Sequence, residues 1–221
     1  MVNLFSAKRV PAALVVSSSL NDAPVGQAVA SVVDNRPTRS LQLLNFVVFQ
    51  AAWFAAILGA AHRVPLWGAA AVVVAIGWHL SVSTRSIQEF KLVVIVCLIG
   101  FAIESLAAVQ GHVVYPSGQP VAYLAPYWMV ALWGLLAIAL NVTMRWLKTR
   151  LWLASVLGAV AGPASFVSGV SLGGAHFNHA VPALVMMACT WAVLMPTLVW
   201  LSNRFDGVVV PARPAVNPIG H

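Results

Sequence analysis

From residue 41 to residue 203 the chain alternates between long apolar runs and short polar breaks. Six runs are long enough to cross a bilayer: 41–61, 64–82, 90–110, 125–146, 151–173 and 180–203. A hydrocarbon core of roughly 30 Å takes about 20 apolar residues of helix. Backbone groups in lipid must be satisfied within the segment, so runs of this length predict helices. The pattern therefore predicts an all-α integral membrane protein, a bundle of six transmembrane helices within 41–205. His62-Arg63 is the whole link between the first two spans, which must form a tight hairpin. Pro65 falls in the first turn of span two, where a missing N–H costs nothing.

The ends are a different material. Residues 1–40 carry Ser17-Ser18-Ser19, small residues and scattered charges, and read as a disordered polar tail. Ala28-Val29-Ala30 imitates a secretory cleavage site behind Lys8-Arg9. The intervening apolar stretch is short, starts at a proline and is broken by Asn21, Asp22 and Pro24, which argues against a cleaved signal. Residues 206–221 read as a short second tail.

Composition supports the membrane assignment: 61% of residues are hydrophobic and 8% charged, where a soluble domain has about 25% charged. The net charge of +7 raises the question of nucleic acid, but the basic residues sit at the ends of apolar runs and form no patch. No nucleic-acid partner is expected. Their placement is an orientation signal. With the N-terminus in the cytoplasm, every Lys and Arg except Arg63 lies inside; the reverse topology exports all the others. Both termini are thus expected in the cytoplasm. Trp67, Tyr115, Tyr123, Tyr127 and Trp128 fall near the outer boundary, and Trp146, Trp152 and Trp200 near the inner one, as an aromatic belt would. Cys97 and Cys189 lie inside apolar runs without a CxxC spacing and read as small buried packing residues. No cofactor is implied.

One residue breaks the pattern chemically. Glu104 is an acid inside the run from residue 90 to residue 111. An ionisable group in hydrocarbon faces the bundle interior and finds a partner, and is a functional-site candidate by default. It lies about 20 Å beyond Lys91 at 1.5 Å per residue, in the outer half of the bilayer. Its helical face carries Cys97, Gly100, Phe101, Ala107, Ala108 and Gly111, mostly small, against an aliphatic face of Ile95, Leu98, Ala102, Leu106 and Val109. Trp53, Trp133, Ser165 and Ser168 fall at similar depth and offer indole and hydroxyl donors. A neutral, hydrogen-bonded acid with Trp53, Ser165 and Ser168 as donors is the expectation. A purely structural acid fits the same residues.

A second polar layer sits near the inner boundary: Asn45, His79 and Asn141, with Arg145 one turn beyond. Interhelical bonds that lock the bundle account for it; a pocket for a lipid headgroup or another anion is the functional version. In span five, Gly158 and Gly162 form a GxxxG step that Ser165, Gly169 and Gly173 extend. Small residues let helices approach closely, so this span is expected at the centre of the bundle, and the stripe also suits a homo-oligomer. Pro163 should free a carbonyl one turn earlier. His112, His176 and His179 would share the outer side. Three or four would have to converge to hold a metal, and solvated loop histidines are the plainer reading. No nucleophile elbow, P-loop, HExxH or dinucleotide fingerprint occurs, which disfavours familiar soluble chemistry without excluding a membrane enzyme.

Several stretches together resemble an uncharacterised family of small bacterial inner-membrane proteins, domain of unknown function 2878. They are LLNFVVFQAAWFAAILGAA from residue 43, the region from Gly100 to Glu104, LAPYWMVALWGLLAIALNVTMRWL from residue 124, and GAVAGPASFVSGVSLGG from residue 158. The resemblance implies the fold. It also implies Asp more often than Glu at position 104 and His more often than Val at position 142. Its members' association with lipid-modifying functions implies a lipid-related setting. The expected function is a non-enzymatic or accessory protein that binds a membrane lipid or amphiphile around Glu104. The alternatives are a small proton-coupled transporter and a membrane-embedded lipid-modifying enzyme.

Overall fold

The computed structural model describes residues 37–208. Among them, six α-helices follow in order: α1 (Arg39–Ala61), α2 (Pro65–Val82), α3 (Ser86–Val109), α4 (Tyr127–Leu140), α5 (Leu151–Ser171) and α6 (Ala180–Arg204). A 3-10 helix, Arg145–Thr149, follows α4, and two short strands, β1 (Val113–Val114) and β2 (His176–Phe177), interrupt the loops. Of the expected tails, 1–40 and 206–221, residues 1–36 and 209–221 lie outside the described residues; Arg39 and Ser40 instead belong to α1, and 206–208 bond back onto the bundle. Five of the helices are long and apolar enough to cross a membrane.

The fourth span is shorter than its apolar run predicts. α4 stops at Leu140 after 14 residues, about 21 Å. Hydropathy runs on to Trp146, but Asn141 and Thr143 spend their side chains on neighbouring elements, and a turn and the 3-10 helix follow. α1 begins two residues before its apolar run because Thr38 caps it, accepting from the Leu41 N–H at 3.3 Å. The α1–α2 hairpin is as tight as expected, and Arg63 takes a left-handed φ of 59° to close it.

α4, not α5, is the central helix. Its sequence, YWMVALWGLLAIAL, has no polar face, and a helix apolar all round belongs in a core. It packs on α1, α2, α3 and α6. α5 packs mainly on α6, and its small residues explain why. A Cβ at Gly162 would fall within the Trp191 ring, and one at Gly158 would meet the Trp191 carbonyl. The GxxxG step is therefore a seat for a neighbour's tryptophan within the same chain. Further along the stripe, Gly169 and Gly173 approach α1 at Ile57 and Ala61.

β1 and β2 pair antiparallel, Val113 with Phe177 and Val114 with His176. They clasp the α3–α4 loop to the α5–α6 loop. Trp67, Tyr123, Tyr127, Trp146, Trp152 and Trp200 are exposed, as belt residues should be. Tyr115 and Trp128 are buried instead, and Cys189, expected inside, is exposed on α6. Cys97 is half-buried, its thiol 3.5 Å from the Val130 carbonyl.

Candidate functional site

Glu104 points inward on α3 and is 3% exposed. The buried stripe is Glu89, Leu92, Val93, Val96, Gly100, Glu104 and Ala107. Phe101, assigned to the inward face from spacing, is exposed. Two donors satisfy the acid. The Tyr115 hydroxyl donates to Oε2 at 2.6 Å and the Trp133 indole N–H to Oε1 at 3.2 Å. Trp133 was a candidate at this depth, outside the expected trio of donors. Trp53, Ser165 and Ser168 make no bond to Glu104; Ser168 donates to the Ala164 carbonyl at 2.9 Å, one turn back along its own helix.

Local sequence builds this arrangement. A Cβ at Gly100 would sit inside the Trp133 ring, so glycine lets the indole lie against α3 and reach the carboxyl one turn on. Trp133 also stacks on Trp191 of α6, with ring centroids 5.2 Å apart and planes 15° apart. Tyr115 belongs to the loop after β1 and packs edge-on against Trp128 at 5.9 Å. Burial, and then the adjacent Glu104 carboxyl, push the Tyr115 phenol well above its ordinary value, so it remains a donor. Spacing along α3 could not reveal a loop partner. The signal available was a tyrosine soon after α3, which sequence alone assigns to the aromatic belt.

Glu104 opens onto a cavity of about 470 Å³, within the range of small-molecule sites. One wall is α1 and α4 (Phe49, Trp53, Leu132, Trp133) and the other α5 and α6 (Leu157, Ala161, Phe166, Trp191). It is tall: along α5 it runs from Leu157 to Gly169, about 18 Å. Its floor is Met144, Trp146 and Leu147, beyond the end of α4. Trp53 and Ser165, predicted at the depth of Glu104, share this cavity with it. A second, more open cavity of about 540 Å³ lies at the α1–α5 seam, sharing Phe49, Gln50, Trp53 and Ser165 with the first and adding Ser168.

The opposite end of α3 holds a second buried acid that hydropathy missed. Glu89 precedes the apolar run by one residue but lies in the first turn of α3 and is fully buried. The Asn141 amide donates to Oε1 at 2.8 Å, the Gly207 N–H donates to the same oxygen at 2.6 Å, and His79 Nε2 lies 3.0 Å from Oε2. Glu89 continues the Leu92, Val96, Gly100, Glu104 stripe, and that register could have found it. The predicted polar layer thus divides. His79 and Asn141 meet at Glu89, whereas Asn45 accepts from Thr143 at 2.6 Å.

Arg145 donates to the Asn141 carbonyl at 3.1 Å and pairs with Asp206 at 2.7 Å, where Lys148 also pairs at 2.8 Å. Burial alone would raise the Asp206 carboxyl. The hydrogen bonds and charges of Arg145 and Lys148 outweigh it and hold the group below the ordinary carboxylate range. Burial lowers the Lys148 ammonium against the pull of Asp206.

The histidines do not assemble. Among the described residues no three His, Cys, Asp or Glu side chains converge as a metal site would require. His176 is on β2, His179 precedes α6, and His112 keeps a buried Nδ1 with no partner among the described residues.

Apolar helices folded around two buried carboxyls, with a tall cavity between them and the α5–α6 hairpin, define a multi-pass membrane protein. The chain belongs to the family described as Protein of unknown function (DUF2878), whose model matches residues 42–197. That span includes both acids and every wall of the cavity. No curated protein and no solved structure matches the chain.

Proposed function

We propose that this protein binds a membrane lipid or similar amphiphile, as an accessory protein of envelope or lipid metabolism in a bacterial inner membrane. In this reading α4 with the 3-10 helix completes a sixth crossing, both termini are cytoplasmic and Glu104 lies in the outer half. The distribution of Lys and Arg supports that orientation. The observation that carries the binding role is the cavity itself. It is lined by aromatic and aliphatic side chains, with a carboxyl at one end. Apolar volume with a few convergent polar groups is what a ligand site requires.

Native mass spectrometry of the purified full chain tests this. One lipid class should remain bound, and Ala161→Phe, which fills the cavity from α5, should remove it. A ligand-free wild type, or an adduct indifferent to Ala161→Phe, overturns the reading.

A second reading is favoured by one specific observation, the buried acid Glu104 at the edge of the cavity. A small proton-coupled carrier would use Glu104 as its proton site. Proteoliposomes should then show proton-linked amphiphile flux that Glu104→Gln abolishes; wild-type proteoliposomes without such flux dispose of the carrier.

A further inference from the structure

The middle of the cavity carries polar groups that nothing among the described residues uses. Gln50 is the twelfth of the 23 residues of α1, at the midpoint of an apolar helix. It lines both the tall cavity and the α1–α5 seam. Ser165 of α5 lines both as well. Neither side chain has a hydrogen-bond partner among the described residues, although Ser168 and Ser171 on the same helix both donate to carbonyls one turn back. In hydrocarbon an unsatisfied amide costs several kcal/mol, on the order of 4–8 by transfer to alkane. An amide and a hydroxyl left open on the two sides of one seam are consistent with a partner that arrives from outside the chain.

Charge narrows what that partner is. Among the described residues no Lys or Arg lines either cavity. Arg145 and Lys148, near the floor, are both engaged by Asp206. An anionic headgroup would find no counter-charge here. A zwitterionic headgroup would have to be dragged to mid-bilayer, where only weakly polar groups reside at tolerable cost. An uncharged hydroxyl or carbonyl meets neither obstacle and matches what Gln50 and Ser165 offer.

Resting on the lipid-binding reading, we infer that the α1–α5 seam is a lateral portal for a neutral long-chain amphiphile, whose hydroxyl or carbonyl group is held by Gln50 and Ser165. The chain lies along the tryptophan-lined wall of the tall cavity. Ser168 belongs to the portal but not to the cavity. Entry and binding are therefore separable by mutation.

The full chain reconstituted in phosphatidylcholine vesicles provides the test, with a dibrominated long-chain alcohol as probe. Bromine quenches tryptophan, and Trp53, Trp133 and Trp191 line the cavity. Quenching should contain a saturable component that Ala161→Phe removes. Gln50→Leu and Ser165→Ala should each weaken it about fivefold, the effect of one hydrogen bond. Ser168→Phe should slow its onset and leave its end point unchanged. Saturable quenching by dibrominated phosphatidylglycerol in place of the alcohol overturns the neutral class while leaving the cavity a lipid site. Wild-type affinity in the Gln50→Leu/Ser165→Ala double variant together with a wild-type rate in Ser168→Phe overturns the portal. If no probe saturates yet a native adduct persists, this inference fails alone; if the adduct is missing too, the lipid-binding reading fails with it.

Discussion

Glu104 and Glu89 lie on one buried face of one helix, 15 residues or about 22 Å apart, yet they are held in opposite ways. Glu104 is met by two aromatic donors, one each from a loop and from α4, and borders an open cavity. Glu89 is enclosed by an imidazole, an amide and a backbone N–H from three separate elements, and it lines neither of the two cavities. The acid at the cavity borders open space. The sealed acid spends its acceptor capacity fastening helices together. Two identical side chains in hydrocarbon thus do different work because of what surrounds them, which is why an intramembrane acid alone does not define a site.

The sharpest break in that contrast is Glu89→Leu. It removes an acceptor from His79, Asn141 and Gly207 at once, leaving the Asn141 amide only the Phe205 carbonyl, and should cost about 3–5 kcal/mol, as breaking a buried ion pair does. Thermal unfolding in detergent measures it. Glu104→Gln, which keeps one acceptor oxygen, should cost no more than about 1 kcal/mol in the same assay. Equal losses at the two positions would erase the distinction.

Gly100→Ala comes next. The new methyl would occupy the Trp133 ring position, so the indole must leave the carboxyl, at about 1–3 kcal/mol for an overpacked core. The native lipid adduct should weaken with it, whereas Gly77→Ala, where a Cβ meets open space, should leave both unchanged. Tyr115→Phe removes one bond from Glu104 and should lower stability by about 1 kcal/mol. The smallest effect is one of pH. The Asp206 carboxyl is held below its ordinary value, so its pairing stabilises the fold above about pH 4, the unfolded Asp value, and is lost as pH falls through the lower folded value. Melting temperatures of wild type and Asp206→Asn should therefore differ at neutral pH and converge in acid.

Much of the helical architecture was legible as hydropathy, because in lipid the backbone leaves few alternatives. The boundaries that failed did so where side-chain bonds overrode hydropathy, as at Asn141 and Thr143. Centrality failed for a physical reason too. Glycine spacing shows that something packs closely, but Trp191 on the adjacent helix satisfies it as well as a core position would. The inward orientation of Glu104 followed from spacing; depth offered Trp133 among four candidate donors, but the expected set was Trp53, Ser165 and Ser168. Tyr115 was not among them, since its position depends on a loop that β1–β2 pins in place. Glu89 was hidden by a boundary drawn one residue late. Gln50, mid-helix and uncharged, drew no attention because hydropathy averages over it.

The Gly207 N–H on Glu89 has a consequence for how the protein is made. Arg85 N–H also reaches the Gly207 carbonyl at 2.9 Å, and a Cβ at Gly207 would collide with the Arg85 carbonyl and Glu89 Cγ. A segment just past the last helix is thus fitted into the start of the third. During synthesis α3 enters the bilayer with His79 already available, but Asn141 follows 52 residues after Glu89 and Gly207 follows 118 residues after it. At 5–20 residues per second that last donor arrives about 6–24 s later. Until then the nascent chain carries a carboxyl short of its partners. Any reporter fused to this end must leave residues 205–208 free, or it will hold the unfinished intermediate open.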